Sequence, residues 1–385
     1  MDAIEKIEIL GDAAKYDLCG ACFNQGKSAH RVRGPFGRWI YPAVMPDGKE
    51  ILLLKVLMSN ACENDCAYCF HRCSMNYRRV GFMPEELANL FITLKERGLV
   101  QGLFLSSAVT GSTEQTMKRM LTTVEILRFR YRFWGYIHLK VLPGASLGEV
   151  EQAVRLATRV SVNLEAPSAE RLKKISTSKD FKNDLLLRIQ WIKDMIKKTE
   201  CTRAGQTTQF VVGAAGESDN EILKITDWLY NEMELRRVYF SAFQPIENTP
   251  LEGCQPTPLM REHRLYQADF LFRRYGFKLH ELTFDSQGDL PLSADPKMVW
   301  ARNHPERFPI EVNTASKQEL LRVPGIGPRS ASRIIRQRKK GKIYQLEELK
   351  TFGTVIRRAA SFVLLDGRRP KMQTPTQMGL WTDFC

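Results

Sequence analysis

Three cysteines, Cys62, Cys66 and Cys69, stand in the run Cys-Glu-Asn-Asp-Cys-Ala-Tyr-Cys. Spacings of four and three residues on a loop are short enough for three thiolates to wrap three irons of a cubane iron-sulfur cluster. The fourth iron is then left without a protein ligand, and an open coordination position is what chemistry on a bound molecule needs. A zinc site is the competing reading, because zinc also takes closely spaced cysteines and Cys73, four residues further on, would complete a set of four. The apolar run just before the loop and the aromatic at Tyr68 favour the open cluster, which leaves Cys73 outside it. Cys19 and Cys22 form another close pair, for which a second metal is the alternative reading, but no second pair accompanies them, so they read as ordinary or weakly redox-active thiols. Cys201, Cys254 and Cys385 are isolated and take no role.

A second constellation lies in Val-Pro-Gly-Ile-Gly-Pro-Arg-Ser-Ala-Ser-Arg-Ile-Ile, residues 323–335. Gly325 and Gly327 permit a tight turn between two helices, and the turn exposes backbone N–H groups. With the start of the helix near Arg329, these donors make a nest for one DNA backbone phosphate, a contact that gives affinity but reads no bases. The candidate DNA contacts are Gly325, Ile326, Gly327, Arg329, Ser330 and Arg333. Lys317, Arg336, Arg338, Lys339 and Lys340 add charge nearby, and from residue 301 on there are 17 Lys and Arg against 7 Asp and Glu. That local surplus, within a net charge of +14, favours a polyanion over the alternative of a protein-interaction hairpin. The downstream stretch Ile-Tyr-Gln-Leu-Glu-Glu-Leu-Lys-Thr-Phe-Gly has no aspartate for base-excision chemistry, so the hairpin reads as a docking element.

Both constellations need elements to hold them. From residue 50 to about 242, apolar β-prone runs at 50–58, 102–107, 136–142, 159–165, 207–213 and 236–243 alternate with helical patterns at 83–97, 114–130, 147–157, 180–198 and 219–233. The rhythm predicts an α/β fold, a partial (β/α)6 barrel, and in such barrels chemistry gathers where the strands end and the βα loops converge. The cysteine loop follows the first strand directly. His138 and Lys140 alternate along the third strand, so both are expected to face the lumen. A further helix over 261–276 and a proline-rich connection lead to a small all-α hairpin domain with a second, weaker hairpin around Phe352 and Gly353. The expected divisions are an N-terminal extension (1–49), the barrel (50–245), a helical extension and connection (246–309), the hairpin domain (310–366) and a polar, disordered tail (367–385). A chain of 43% hydrophobic and 26% charged residues, with no apolar run approaching the roughly 18 residues of a membrane span and no signal-peptide pattern at its start, is expected to be cytoplasmic. Nine cysteines in a reducing compartment then point to metal or redox chemistry rather than to disulfides.

The CxxxCxYC loop resembles the radical SAM superfamily. The resemblance implies that S-adenosylmethionine occupies the open iron of a 4Fe-4S cluster, and that an electron from the cluster cleaves it to a 5′-deoxyadenosyl radical that abstracts hydrogen from a substrate. It places Tyr68 near the adenine, Ser106 and Ser107 at the turn that holds the amino group, Asn163 and Glu165 near the ribose, and Gly213 and Glu217 in a turn beside the adenine. With the hairpin included, residues 5–366 resemble a family of DNA modification/repair radical SAM proteins associated with a uracil-DNA glycosylase-like protein. The likeness is carried by the stretches 9–17, 53–69, 102–107, 135–145, 212–219, 261–271 and 312–335. It implies DNA as substrate or platform and a low-potential donor such as flavodoxin or ferredoxin. Cys19 with Cys22, Cys73, and Ala108 in place of glycine depart from the family pattern. Modification of RNA, or a non-catalytic DNA-binding adaptor with a structural cluster, are the other readings.

Overall fold

The runs read as strands form one sheet. In a computed structural model, which describes residues 1–14, 32–34, 37–44, 50–199 and 201–370, eight strands lie side by side in chain order. They are β1 (Val32–Gly34), β2 (Gly37–Val44), β3 (Glu50–Leu57), β4 (Gly102–Ser106), β5 (Ile137–Lys140), β6 (Arg159–Ser161), β7 (Gln206–Val212) and β8 (Arg237–Ala242). The six from β3 to β8 are parallel, as the alternation predicts. The antiparallel β1 and β2, which extend the sheet beyond β3, were not expected. Every residue of β4 is buried, as is nearly all of β7 despite its four polar residues, the burial of strands covered on both faces. Gly102 opens β4 because a side chain there would come within 2.7 Å of Leu53 and 2.8 Å of the Tyr136 carbonyl.

The crossover helices are α2 (Pro84–Glu96), α3 (Thr113–Glu125), α4 (Leu147–Leu156), α5 (Ala169–Lys173), α6 (Leu187–Thr199) and α7 (Asp219–Asn231), preceded by α1 (Ala3–Ala13) and followed by α8 (Leu259–Phe270). Ser146 with Glu149 and Ser218 with Glu221 close capping boxes that fix where α4 and α7 begin. The edge of β8 is covered by α8. Glu262 accepts the Ala242 N–H at 2.7 Å, and the Tyr266 hydroxyl accepts the N–H and donates to the carbonyl of Phe240.

The chain divides into two compact units, one reaching Tyr266 and including Ser286–Leu290, the other made of Gln267–Asp285 and the residues from Pro291 on. The second unit holds α9 (Pro296–Asn303), α10 (Lys317–Arg322), α11 (Pro328–Arg338), α12 (Leu346–Thr351) and α13 (Ile356–Ala359) around a core that includes Val312, Leu320, Ile326, Ile334, Ile343, Leu349 and Val363. It is not purely helical, because β9 (Ile310–Glu311) and β10 (Val363–Leu364) pair in parallel. The weaker second hairpin is present between α12 and α13. Gly325 and Gly353 adopt matching left-handed conformations, φ 86° and 85°, which a residue with a side chain takes only at a cost. Cys19, Cys22, Cys385 and most of the tail lie outside the described residues, and no helix of the described residues is long and apolar enough to cross a membrane.

Candidate active site and phosphate-binding hairpin

The cysteine loop is an excursion between β3 and α2, closed at its base by a bridge between Ser59 and Gly81. The buried Asn60 reinforces the closure, donating to the Arg78 carbonyl at 3.1 Å and accepting the Val80 N–H at 2.7 Å. Arg79 donates to the carbonyls of Asn60, His71, Arg72 and Met75 at 2.7–3.0 Å and lies 3.9 Å from the centre of the Tyr77 ring. One guanidinium thus satisfies four loop carbonyls. On the other flank, Asp65 accepts the N–H groups of Thr177 and Ser178 at 3.0 and 3.2 Å and the hydroxyls of Ser176 and Ser178 at 2.9 and 2.8 Å. Burial opposes the charge of Asp65, but these hydrogen bonds outweigh it and hold the carboxyl well below the usual carboxylate range.

Cys62, Cys66 and Cys69 all line a cavity of about 870 Å³ at the C-terminal ends of the strands, whereas Cys73 is exposed and does not line it. Burial and the neighbouring Cys66 push the Cys69 thiol up to about 12, against the N–H of His71, which meets its sulfur at 3.3 Å. Burial raises Cys62 as well, against the backbone N–H groups of Val109 and Asn64. Lys179 hydrogen-bonds the Cys66 sulfur and is held protonated, despite its burial, by Cys66 and Glu165. Three thiolates so close together need cationic partners, which iron supplies. A closed zinc site takes four protein ligands, while a cubane with one open iron takes three. With Cys73 exposed and outside the cavity, the three-thiol set fits a cluster with one open iron.

Of the residues expected near S-adenosylmethionine, Tyr68, Ser106, Ser107, Asn163 and Glu165 line the same cavity. Tyr68 hydrogen-bonds Glu165, and burial followed by that carboxylate's charge raises the phenol well above its ordinary value. Glu165 sits at φ 64°, a left-handed conformation uncommon for a residue with a side chain, pinned by its N–H to Gln209 O at 3.0 Å and by Val211 N–H to its carbonyl at 2.8 Å. Gly213 and Glu217 do not line the cavity. The Glu217 carboxylate is taken up by the N–H groups of Gly213 and Ala215 in its own turn, and Arg261 clamps the Glu217 carbonyl at 2.6 Å and the fully buried Asp219 at 2.7 Å. Lys140 lines the cavity, but His138 does not; it meets the Ser161 hydroxyl at 2.8 Å and packs on Phe104. Sequence reasoning missed Lys179, Gln209, Ser241, Gln244 and Glu247, all of which line the cavity. Gln209 carried a signal, as the last of four polar residues that open a β-prone run, while Lys179 lies in a loop with no periodicity.

In the second unit, Gly325 is required twice over, by φ 86° and because a side chain would meet the Val355 carbonyl at 2.5 Å. Gly327 is not, since its φ of −101° suits any residue. It caps α11 without a side chain, so the first-turn N–H groups of α11, from Arg329 and Ser330, stay available to an anion. Arg329 and Arg333 are exposed beside them. The side chains of Ile326, which is 1% exposed, and Ser330 turn into the core, so only their backbone can meet a ligand. Arg338 is structural, donating to the carbonyls of Val312 and Ala315 at 3.1 and 2.5 Å.

Residues 56–229 match the radical SAM superfamily, and residues 307–355 match the helix-hairpin-helix motif. No curated protein matches the chain. Among solved structures, the chain is similar to the FeFe-hydrogenase maturase HydG from Carboxydothermus hydrogenoformans, at 15% identity over 57% of this chain and 50% of that one, with a TM-score of 0.46. It is also similar to methylornithine synthase PylB, at 17% identity over 57% and 62%, TM-score 0.46. A radical SAM methyltransferase from Sphaerobacter thermophilus gives 14% identity over 59% and 69%, TM-score 0.42. The chain thus carries a radical SAM domain, whose family uses a 4Fe-4S cluster and S-adenosylmethionine, followed by a helix-hairpin-helix motif.

Proposed function

We propose that this protein is a radical SAM enzyme that modifies or repairs a nucleotide of DNA, with Cys62, Cys66 and Cys69 as the three protein ligands of the cluster. The observation that carries the reading is the joint presence of a three-thiol cavity and a hairpin with free first-turn N–H groups in one chain. When bound, the cluster and S-adenosylmethionine supply a 5′-deoxyadenosyl radical. The chain's own residues set the conditions for that chemistry. Asp65 and Arg79 fix the loop that presents the thiols, the ammonium of Lys179 offsets their charge, and Tyr68 with Glu165 forms one wall. Ser106, Ser107 and Asn163 offer polar contacts to S-adenosylmethionine along that wall.

A base stacked in a duplex is closed to such a cavity, so the substrate is single-stranded, distorted, or a nucleotide flipped out at a cost of a few kcal/mol. The hairpin and Arg329 and Arg333 supply backbone affinity without choosing sequence. The reading takes a low-potential donor such as flavodoxin or ferredoxin and a uracil-DNA glycosylase-like protein acting on the same DNA. The test is hydrogen transfer: deuterated DNA and deuterated RNA are each incubated with reconstituted enzyme, S-adenosylmethionine and reductant. Deuterium in 5′-deoxyadenosine from DNA alone is expected. Deuterium from RNA alone, or from neither polymer, would refute DNA as the substrate.

A further inference from the structure

The segment Arg-Phe-Arg-Tyr-Arg-Phe-Trp, residues 128–134, between α3 and β5, plays no part in the cavity. Its side chains divide sharply. Leu127, Arg128 and Phe133 are buried, whereas Phe129 is 65% and Trp134 71% exposed, with Arg130 and Arg132 exposed between them. The two exposed rings stand edge to face, centroids 6.4 Å apart, a contiguous aromatic surface left in water.

The backbone holds this surface in place. The chain leaves α3 through a π-helical turn, Ile126–Arg130, and reverses at Arg132 in a left-handed conformation, φ 50°. Beneath it the buried Arg128 donates to the carbonyls of Leu156 at 2.8 Å, Phe133 at 2.6 Å and Gly135 at 2.9 Å. Phe133 packs on Phe91 at 4.9 Å, and the Tyr131 hydroxyl is tied to Asn89. The two rings are therefore presented on a fixed base, so little ordering entropy opposes binding to them.

Charge selects the partner. Residues 126–136 contain no acidic residue, and Lys95 lies alongside, 5.8 Å from the Phe133 ring centre. Exposed rings interleaved with guanidinium groups fit unpaired bases, which stack on the rings while their phosphates meet the arginines. A duplex hides the faces of its bases and fits poorly. We propose that Phe129 and Trp134, with Arg130 and Arg132, form a stacking platform for single-stranded nucleic acid on the barrel unit. The choice of partner rests on the nucleic-acid reading of the hairpin.

Fluorescence anisotropy of the full chain with a labelled single-stranded oligonucleotide and with its duplex tests this. The Phe129→Ala/Trp134→Ala double variant should lose single-strand affinity about ten-fold or more and keep duplex affinity within about two-fold. Because all its changes are exposed, its thermal melting should match the wild type. Arg130→Ala/Arg132→Ala should shallow the single-strand salt dependence by about 1.4 in log–log slope. Gly325→Val, acting on the hairpin, should weaken duplex binding instead. Unchanged single-strand affinity in both platform variants, with the wild type binding normally, would overturn the proposal and leave the rings to a protein partner. A wild type that binds neither polymer would instead bring down the nucleic-acid reading itself.

Discussion

Four cysteines lie within twelve residues, and the environment of each side chain separates them. Cys62, Cys66 and Cys69 share a cavity wall, while Cys73 faces solvent. The spacing, the preceding apolar run and Tyr68 made three of them ligands and kept a zinc alternative open; the exposed place of Cys73, outside the cavity, favours the open cluster. Glu165 was legible as a strand-end carboxylate but not as a strained one, because left-handed backbone at a glutamate leaves no mark in the sequence. Its φ of 64° yields a direct prediction. Glu165→Gly and Glu165→Ala lose the same hydrogen bond to Tyr68, yet glycine takes this conformation freely, so the glycine variant should be the more stable by about 1 kcal/mol in urea unfolding. Equal stabilities, or alanine the more stable, would mean that the strain is not real.

At the scale of elements, the strands were legible because β-prone apolar runs alternate with amphipathic stretches. The π-helical turns that end α3 and precede α6 were not, since they depart from the helix only in hydrogen-bond register. The first helix was legible but overlooked, as Asp2 and Glu5 form a capping box. The proline-rich connection before the hairpin domain conceals α9 and its Lys297, 6% exposed, which donates to the Ile326 carbonyl at 2.6 Å and braces the hairpin from below. Burial, with the nearby Arg358 adding to it, lowers Lys297 from 10.5 to about 7. Between these two values the unfolded chain binds a proton that the folded unit does not, so stability rises with pH across that window. Below about pH 7 both states carry the proton and the full penalty, at most about 4 to 5 kcal/mol, is present. Lys297→Met should remove this slope. Urea unfolding at pH 6.5 and 9.5 should show the wild type gaining on the variant at the higher pH, and a constant difference would show that Lys297 titrates normally.

Over the whole molecule, the proposed function gives the two units different tasks, which should come apart under mutation. A β-branched residue at position 325 meets the Val355 carbonyl and a disfavoured φ, so Gly325→Val should disrupt the hairpin and lower DNA affinity. Arg333→Ala, milder, should weaken binding to all sequences alike and reduce the log–log salt slope by about 1. Neither should slow cleavage of S-adenosylmethionine in the absence of DNA, measured as 5′-deoxyadenosine released. A parallel loss of both activities would mean that the units act as one.

The central claim is that three thiols, and not four, hold a cluster that cleaves S-adenosylmethionine. Anaerobic reconstitution with iron and sulfide, followed by S-adenosylmethionine and dithionite, puts it to the test in one assay of 5′-deoxyadenosine. Wild type and Cys73→Ala should both release it, while Cys62→Ala, Cys66→Ala and Cys69→Ala should release none. No product from a fully loaded wild type, or loss of product on changing Cys73, would contradict the account.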